Sequence, residues 1–146
     1  MKNRPWVKYL LYLLLILALI YLDTYVVRQQ ALYQSQTFNI GLVYHVISMT
    51  IKIAIGLLLG LEYLTSEIKK EGKWKINLPK MALMVIPCLY FSITLFLYFI
   101  PNEFLMNILM KPAFILFKGE FRFTSIFQIL LGYFFITSFY KRTIKI

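Results

Sequence analysis

The chain has 146 residues, 60% of them apolar and 15% charged, with a mean hydropathy of +0.71. A water-soluble domain carries about 45 to 50% apolar and about 25% charged residues, so this composition excludes an ordinary soluble core and indicates a lipid bilayer. Lys and Arg number 16 against 6 Asp and Glu; because the basic residues border apolar runs, the excess points to orientation in a membrane and to anionic lipid headgroups, with no nucleic-acid partner expected.

Four runs are apolar and long enough to cross roughly 30 Å of hydrocarbon, which takes about 20 helical residues. The expected fold is therefore all-α: an integral membrane four-helix bundle, a single transmembrane domain over residues 1–146.

The first run, Tyr9 to Val27, follows Lys2, Arg4 and Lys8 as the apolar part of a signal peptide would. It is followed by Arg28 rather than by the paired small residues that a signal peptidase reads, which makes it a retained anchor. Tyr9, Tyr12, Tyr21 and Tyr25 cluster toward its ends, where interfacial aromatics sit.

The second run, Ile40 to Tyr63, carries the informative polar residues. At about 100° per residue, Gly41, His45, Ser48, Lys52, Gly56 and Tyr63 fall in one narrow band, with Leu42, Val46, Ile53, Leu57 and Leu61 elsewhere. Lys52 stands near mid-span, where a lysine costs about 2.5 to 3.5 kcal/mol against a gain of about 0.3 to 0.6 for each Leu, Ile or Val. Twelve such residues between Ile40 and Leu61 offset it, but the ammonium must face protein or water.

Asp23 is the acidic residue embedded in another span. Asp23 and His45 each lie about five residues in from the outer surface, so they are level, and Lys52 lies about 10 Å deeper. An Asp23–His45 contact is expected first, and a Lys52–Asp23 contact second. Gly56 and Gly60 form a GxxxG pair suited to close helix packing.

The third run, Met81 to Ile100, and the fourth, Phe123 to Tyr140, contain no charge. Pro87 is expected to kink the third and to leave the Leu83 carbonyl without its donor. Cys88 is an apolar filler; a single cysteine rules out an internal disulfide. In the fourth run Ser125, Gln128 and Gly132 share a face, with Gln128 the expected inward hydrogen-bonding group. Between these runs, Asn102 is expected to cap a short interfacial helix that Pro112 ends, after which Ala113 to Phe117 dips back toward the bundle, the interfacial segment covering about 102–117.

Lys and Arg before the first run, between the second and third, and after the fourth number eleven, against four on the opposite side with Lys52 left within a span. Both termini and the middle loop are thus expected in the cytoplasm of a multi-pass cell-membrane protein, its composition compatible with a bacterial cytoplasmic membrane.

Three function classes follow. The favoured one is a non-catalytic subunit or assembly partner that associates with membrane lipids and with another membrane protein or its own copies. An oligomeric ion, proton or small-solute transporter or channel would use Asp23, His45, Ser48, Lys52 and Gln128 as its polar network. An intramembrane enzyme is disfavoured: one His and one Cys cannot assemble a zinc site, and no phosphate loop or oxyanion site marks a catalytic centre, so no cofactor, metal or catalytic residue is expected.

Overall fold

The structure, a computed structural model, describes residues 5–118 and 122–142. It is mostly helical (81%) and all-α in class. Lys2, Arg4 and Lys145, which enter the charge count above, lie outside the described residues.

Helix α1 runs Pro5–Thr37, 33 residues and about 50 Å at 1.5 Å per residue. It continues ten residues beyond the apolar run that ends at Val27. Hydropathy stops there, but Arg28, Gln29, Gln30 and Ala31 are good helix formers, and neither Gly nor Pro intervenes before Gly41. Phe38, at φ 55, ends the helix in a left-handed turn, its N–H donating to the Gln34 carbonyl at 3.0 Å.

Helix α2, Leu42–Ile68, begins after Gly41, whose carbonyl accepts from the His45 N–H at 3.2 Å. Both α1 and α2 are long and apolar enough to cross a membrane. Gly72, at φ 140, then turns the chain into strand β1, Lys73–Ile76.

The third apolar run is not one helix. Asn77 accepts from the Lys80 N–H at 3.2 Å and starts α3, Leu78–Lys80. A π-helical turn follows at Met81–Val85, then α4 at Ile86–Ser92 and α5 at Thr94–Leu97. The π turn lies immediately upstream of Pro87, which therefore falls in the first turn of α4, where a proline's missing N–H is least needed. Ile93, at φ −95 and ψ 3, separates α4 from α5. The helical stretch Leu78–Ser92 thus falls short of the expected 81–100 span.

Helix α6, Glu103–Phe117, is capped by Asn102, whose side chain accepts from the Phe104 and Leu105 N–H groups at 3.1 and 3.3 Å. Pro112 does not end it, contrary to expectation: the helix runs through to Phe117. A proline removes one donor and loosens the preceding turn, and in that turn the Tyr90 hydroxyl donates to the Leu109 carbonyl. Ala113 is buried and Phe117 stacks on Phe123 at 3.9 Å, so the far end of α6 does lean onto the bundle.

Helix α7, Phe123–Thr137, stops three residues short of the expected Tyr140, because the chain turns into strand β2, Phe139–Arg142. The strands pair antiparallel from Lys73 opposite Arg142 to Ile76 opposite Phe139. This small sheet joins the expected middle loop to the end of the expected fourth span and the first tail residues, Lys141 and Arg142.

The core lies between α2, the π turn, α4 and α7, around Val85, Cys88 and Leu131 with Ile53, Met81 and Phe127 against them. Helix α1 stands outside it, packed on α2 and on no other element extensively.

Candidate functional site

The polar band of α2 divides between neighbours rather than meeting one partner. Ser48 and Lys52, one helical turn apart, face α1. The Ser48 hydroxyl donates to Asp23 Oδ1 at 2.5 Å, Lys52 Nζ lies 3.4 Å from Asp23 Oδ2, and the same ammonium donates to Ser48 Oγ at 2.5 Å. The three close a ring: carboxylate, hydroxyl and ammonium each contact the other two. Ser48 is 2% exposed, and the Asp23 and Lys52 side chains keep 19% and 15%. The ring is a largely sheltered ion pair between helices, with the hydroxyl filling the gap that a four-residue spacing leaves.

The expected order of contacts is reversed. Lys52 reaches Asp23, whereas His45 turns away: its ring packs 5.2 Å from that of Phe96, and its Nε2 is buried without a hydrogen-bond partner. Depth counting placed Asp23 and His45 level but took no account of azimuth. The lysine's long stem spans the axial offset between Lys52 and Asp23. His45 instead lines a cavity of about 390 Å³ with Gln30, Gln34, Leu95, Tyr98 and Phe99.

Gly56 and Gly60 face α7. A Cβ on Gly56 would lie 1.9 Å from the Ile129 carbonyl oxygen, and one on Gly132 would lie 2.2 Å from the Ile53 carbonyl oxygen. Each helix thus rests a glycine against the other's backbone. A Cβ on Gly60 would meet the Ile136 Cγ2 at 2.1 Å, a side chain rather than backbone.

Gln128 is 1% exposed and donates through Nε2 to the Ser92 carbonyl at 3.3 Å. That carbonyl stands at the broken end of α4, where helical acceptors lose their donors. The break is sealed further by Ser92 Oγ donating to the Cys88 carbonyl and Thr94 Oγ1 to the Tyr90 carbonyl. Since Gly56 abuts Ile129, Gln128 is level with the Lys52 region of α2, and a second polar layer crosses the bundle there. Sequence reasoning found Gln128 but missed Ser92 and Thr94 as its setting; the Ser-Ile-Thr succession, two back-bonding hydroxyls around a β-branched residue, was the available signal.

At one end of the bundle the segments expected on a common side meet. Lys8 Nζ lies 3.6 Å from Glu62 Oε1, and the Tyr9 hydroxyl donates to the same oxygen at 2.8 Å. Glu67 receives Lys70 Nζ and, at 3.0 Å, the backbone N–H of Lys141. Both interactions favour the ionised carboxylate and hold its pKa below the usual value, the Lys70 hydrogen bond foremost. Among the described residues no group of three or more His, Cys, Asp or Glu could hold a metal ion.

Two long apolar helices in an all-α chain are the class the coordinates define. Set against protein-family models, curated proteins and solved structures, the chain matches none.

Proposed function

We infer that the chain is a multi-pass membrane protein that serves as a non-catalytic subunit, assembling with another membrane protein or with copies of itself, with both ends on the cytoplasmic side. One observation carries this reading: α1, with an apolar window that the rest of the chain leaves unburied, is attached to the bundle chiefly along α2. Within its apolar run, Tyr9 to Val27, Asp23 is already satisfied by Ser48 and Lys52 and the Thr24 hydroxyl donates to the Ile20 carbonyl, so the rest of that run offers apolar surface for lipid or another helix. The two shorter helical stretches, Leu78–Ser92 and Phe123–Thr137, fit the same reading as crossings completed by flanking apolar residues at their ends.

Extraction in mild detergent followed by crosslinking through cysteines introduced along α1, at Leu13 and Ile20, tests it. The expected result is a discrete crosslinked species, with a defined companion or a second copy. A protein that stays monomeric and uncrosslinked from every α1 position contradicts the subunit role.

A second reading, an oligomeric ion or proton path, is favoured by the break at Ile93, since interrupted helices sealed by polar side chains recur at intramembrane ion sites. Lys52→Leu separates the two: a conducting protein loses or changes its flux in proteoliposomes, whereas a subunit keeps its partner.

A further inference from the structure

The two-stranded sheet places like charges face to face. In an antiparallel pair, residues opposite each other share a side, and alternate residues point to opposite sides. Lys73 opposite Arg142 and Lys75 opposite Tyr140 therefore form one side, and Trp74 opposite Lys141 and Ile76 opposite Phe139 form the other. On the second side Lys141 is turned to the bundle, its Nζ donating to the Ile68 and Lys70 carbonyls at 2.8 and 2.9 Å and lying 5.2 Å from the centroid of the Trp74 ring, while Trp74 and Ile76 stay about half-exposed. The first side carries Lys73, Lys75 and Arg142, all exposed.

The other basic residues at this end, Lys69 excepted, are occupied. Lys8 pairs with Glu62, Lys70 with Glu67, and Lys80 Nζ donates to Thr137 Oγ1 at 2.7 Å and to its carbonyl at 3.1 Å. Among the described residues Lys69, Lys73, Lys75 and Arg142 have no ion pair, and the exposed Glu71 pairs with none of them. Orientation by positive charge needs only basic residues on one side of the membrane; it does not need two cations paired across strands, an arrangement that destabilises a sheet unless an anion lies between them.

We propose that the Lys73, Lys75 and Arg142 side of the sheet is a docking surface for the anionic headgroups of the surrounding bilayer. The inference rests on the membrane placement proposed above and adds a lipid class to it. Charge complementarity selects the occupant: the sheet leads directly out of α7 and into α3, through the Asn77 N–H to Ser138 carbonyl bond at 2.9 Å, so it stays at the end of the membrane helices, within reach of headgroup phosphates. Trp74, half-exposed on the sheet's other side, is the kind of ring that settles at that depth.

The test reconstitutes the full chain in nanodiscs of phosphatidylcholine with and without phosphatidylglycerol, then measures by native mass spectrometry the lipid retained on the released protein. Wild type is expected to retain phosphatidylglycerol preferentially, and raising the salt concentration should weaken that preference. The K73Q/K75Q/R142Q variant should lose about fivefold per residue, on the order of a hundredfold altogether. K73R/K75R, which keeps the charge, and K111Q, at the other end of the bundle, should retain it. An unchanged preference in the triple variant overturns the proposal, as does a wild-type preference indifferent to salt. Competition by inorganic phosphate as strong as by the lipid identifies an anion site instead and also overturns it. Failure to enter the bilayer overturns this inference and the membrane reading together, whereas normal insertion and crosslinking without lipid preference sinks this inference alone.

Discussion

Helix α2 has two interfaces built on opposite principles. Toward α7 it presents Gly56 and Gly60, and the helices approach until each lays a glycine on the other's carbonyl. Toward α1 it presents Ser48 and Lys52, and attachment depends on a ring of three polar groups with Asp23. The first is distributed and steric; the second is local and chemical. In a bilayer, where burying apolar surface gains nothing over lipid, close packing and polar pairing are the two available means of joining helices. Here one helix uses each on a different side, so the two attachments can be broken separately.

The largest effect is expected at the glycine seam. Gly56→Ala or Gly132→Ala drives a methyl group into backbone that cannot rotate aside and should destabilise the bundle by about 3 kcal/mol. Reversible unfolding in mixed micelles, followed by circular dichroism, would measure it. Gly60→Ala should do less, because the Ile136 side chain can turn away; equal losses at Gly56 and Gly60 would contradict the carbonyl contact.

Breaking the polar ring comes next. Lys52→Leu leaves the Asp23 carboxylate with Ser48 alone and should cost about 2 kcal/mol, reduced from the fully buried case by the exposure both side chains retain. Asp23→Leu combined with Lys52→Leu should recover most of that loss in the same unfolding assay, since no uncompensated charge remains. A double variant no better than the single one would mean the ring is not a closed unit.

Gln128→Leu tests the second polar layer. It strips the Ser92 carbonyl of its donor and should cost about 1 kcal/mol, with faster amide exchange around Ile93 as the local sign. The smallest effect belongs to Glu67, beyond the apolar part of α2. Its pKa is depressed in the folded state, so the stabilisation is fully present above the ordinary carboxylate value and is lost as pH falls through the lower, folded value. Unfolding midpoints taken over that acidic window should fall for wild type and show a weaker pH dependence in Glu67→Gln.

The asymmetry between the interfaces also explains what could be read from the chain. The polar band on α2, the Asn102 cap and the two long helices are visible because each follows from local periodicity or a single side chain. The partition of the band was not: whether Lys52 or His45 meets Asp23 depends on how α1 is rotated about its axis, which one helix's pattern does not encode. The break at Ile93 was hidden by a run in which every residue is compatible with a membrane helix, and by Gln128, 36 positions away, supplying its seal. The pairing of Lys73–Ile76 with Phe139–Arg142 joins segments too short to signal strands individually. Pro112 misled because a proline weakens a helix without forbidding it, once another hydroxyl attends to the loosened turn.

The length of α1 has one more consequence. Thr37 stands about 15 Å above Val27 along the helix axis, so the apolar stretch stops well before the helix does, and in the proposed membrane placement the turn at Phe38, 92% exposed, would be carried clear of the lipid on a stiff mast. An epitope grafted at Asn39 would stand off the membrane surface, legible to an antibody without disturbing either seam of α2.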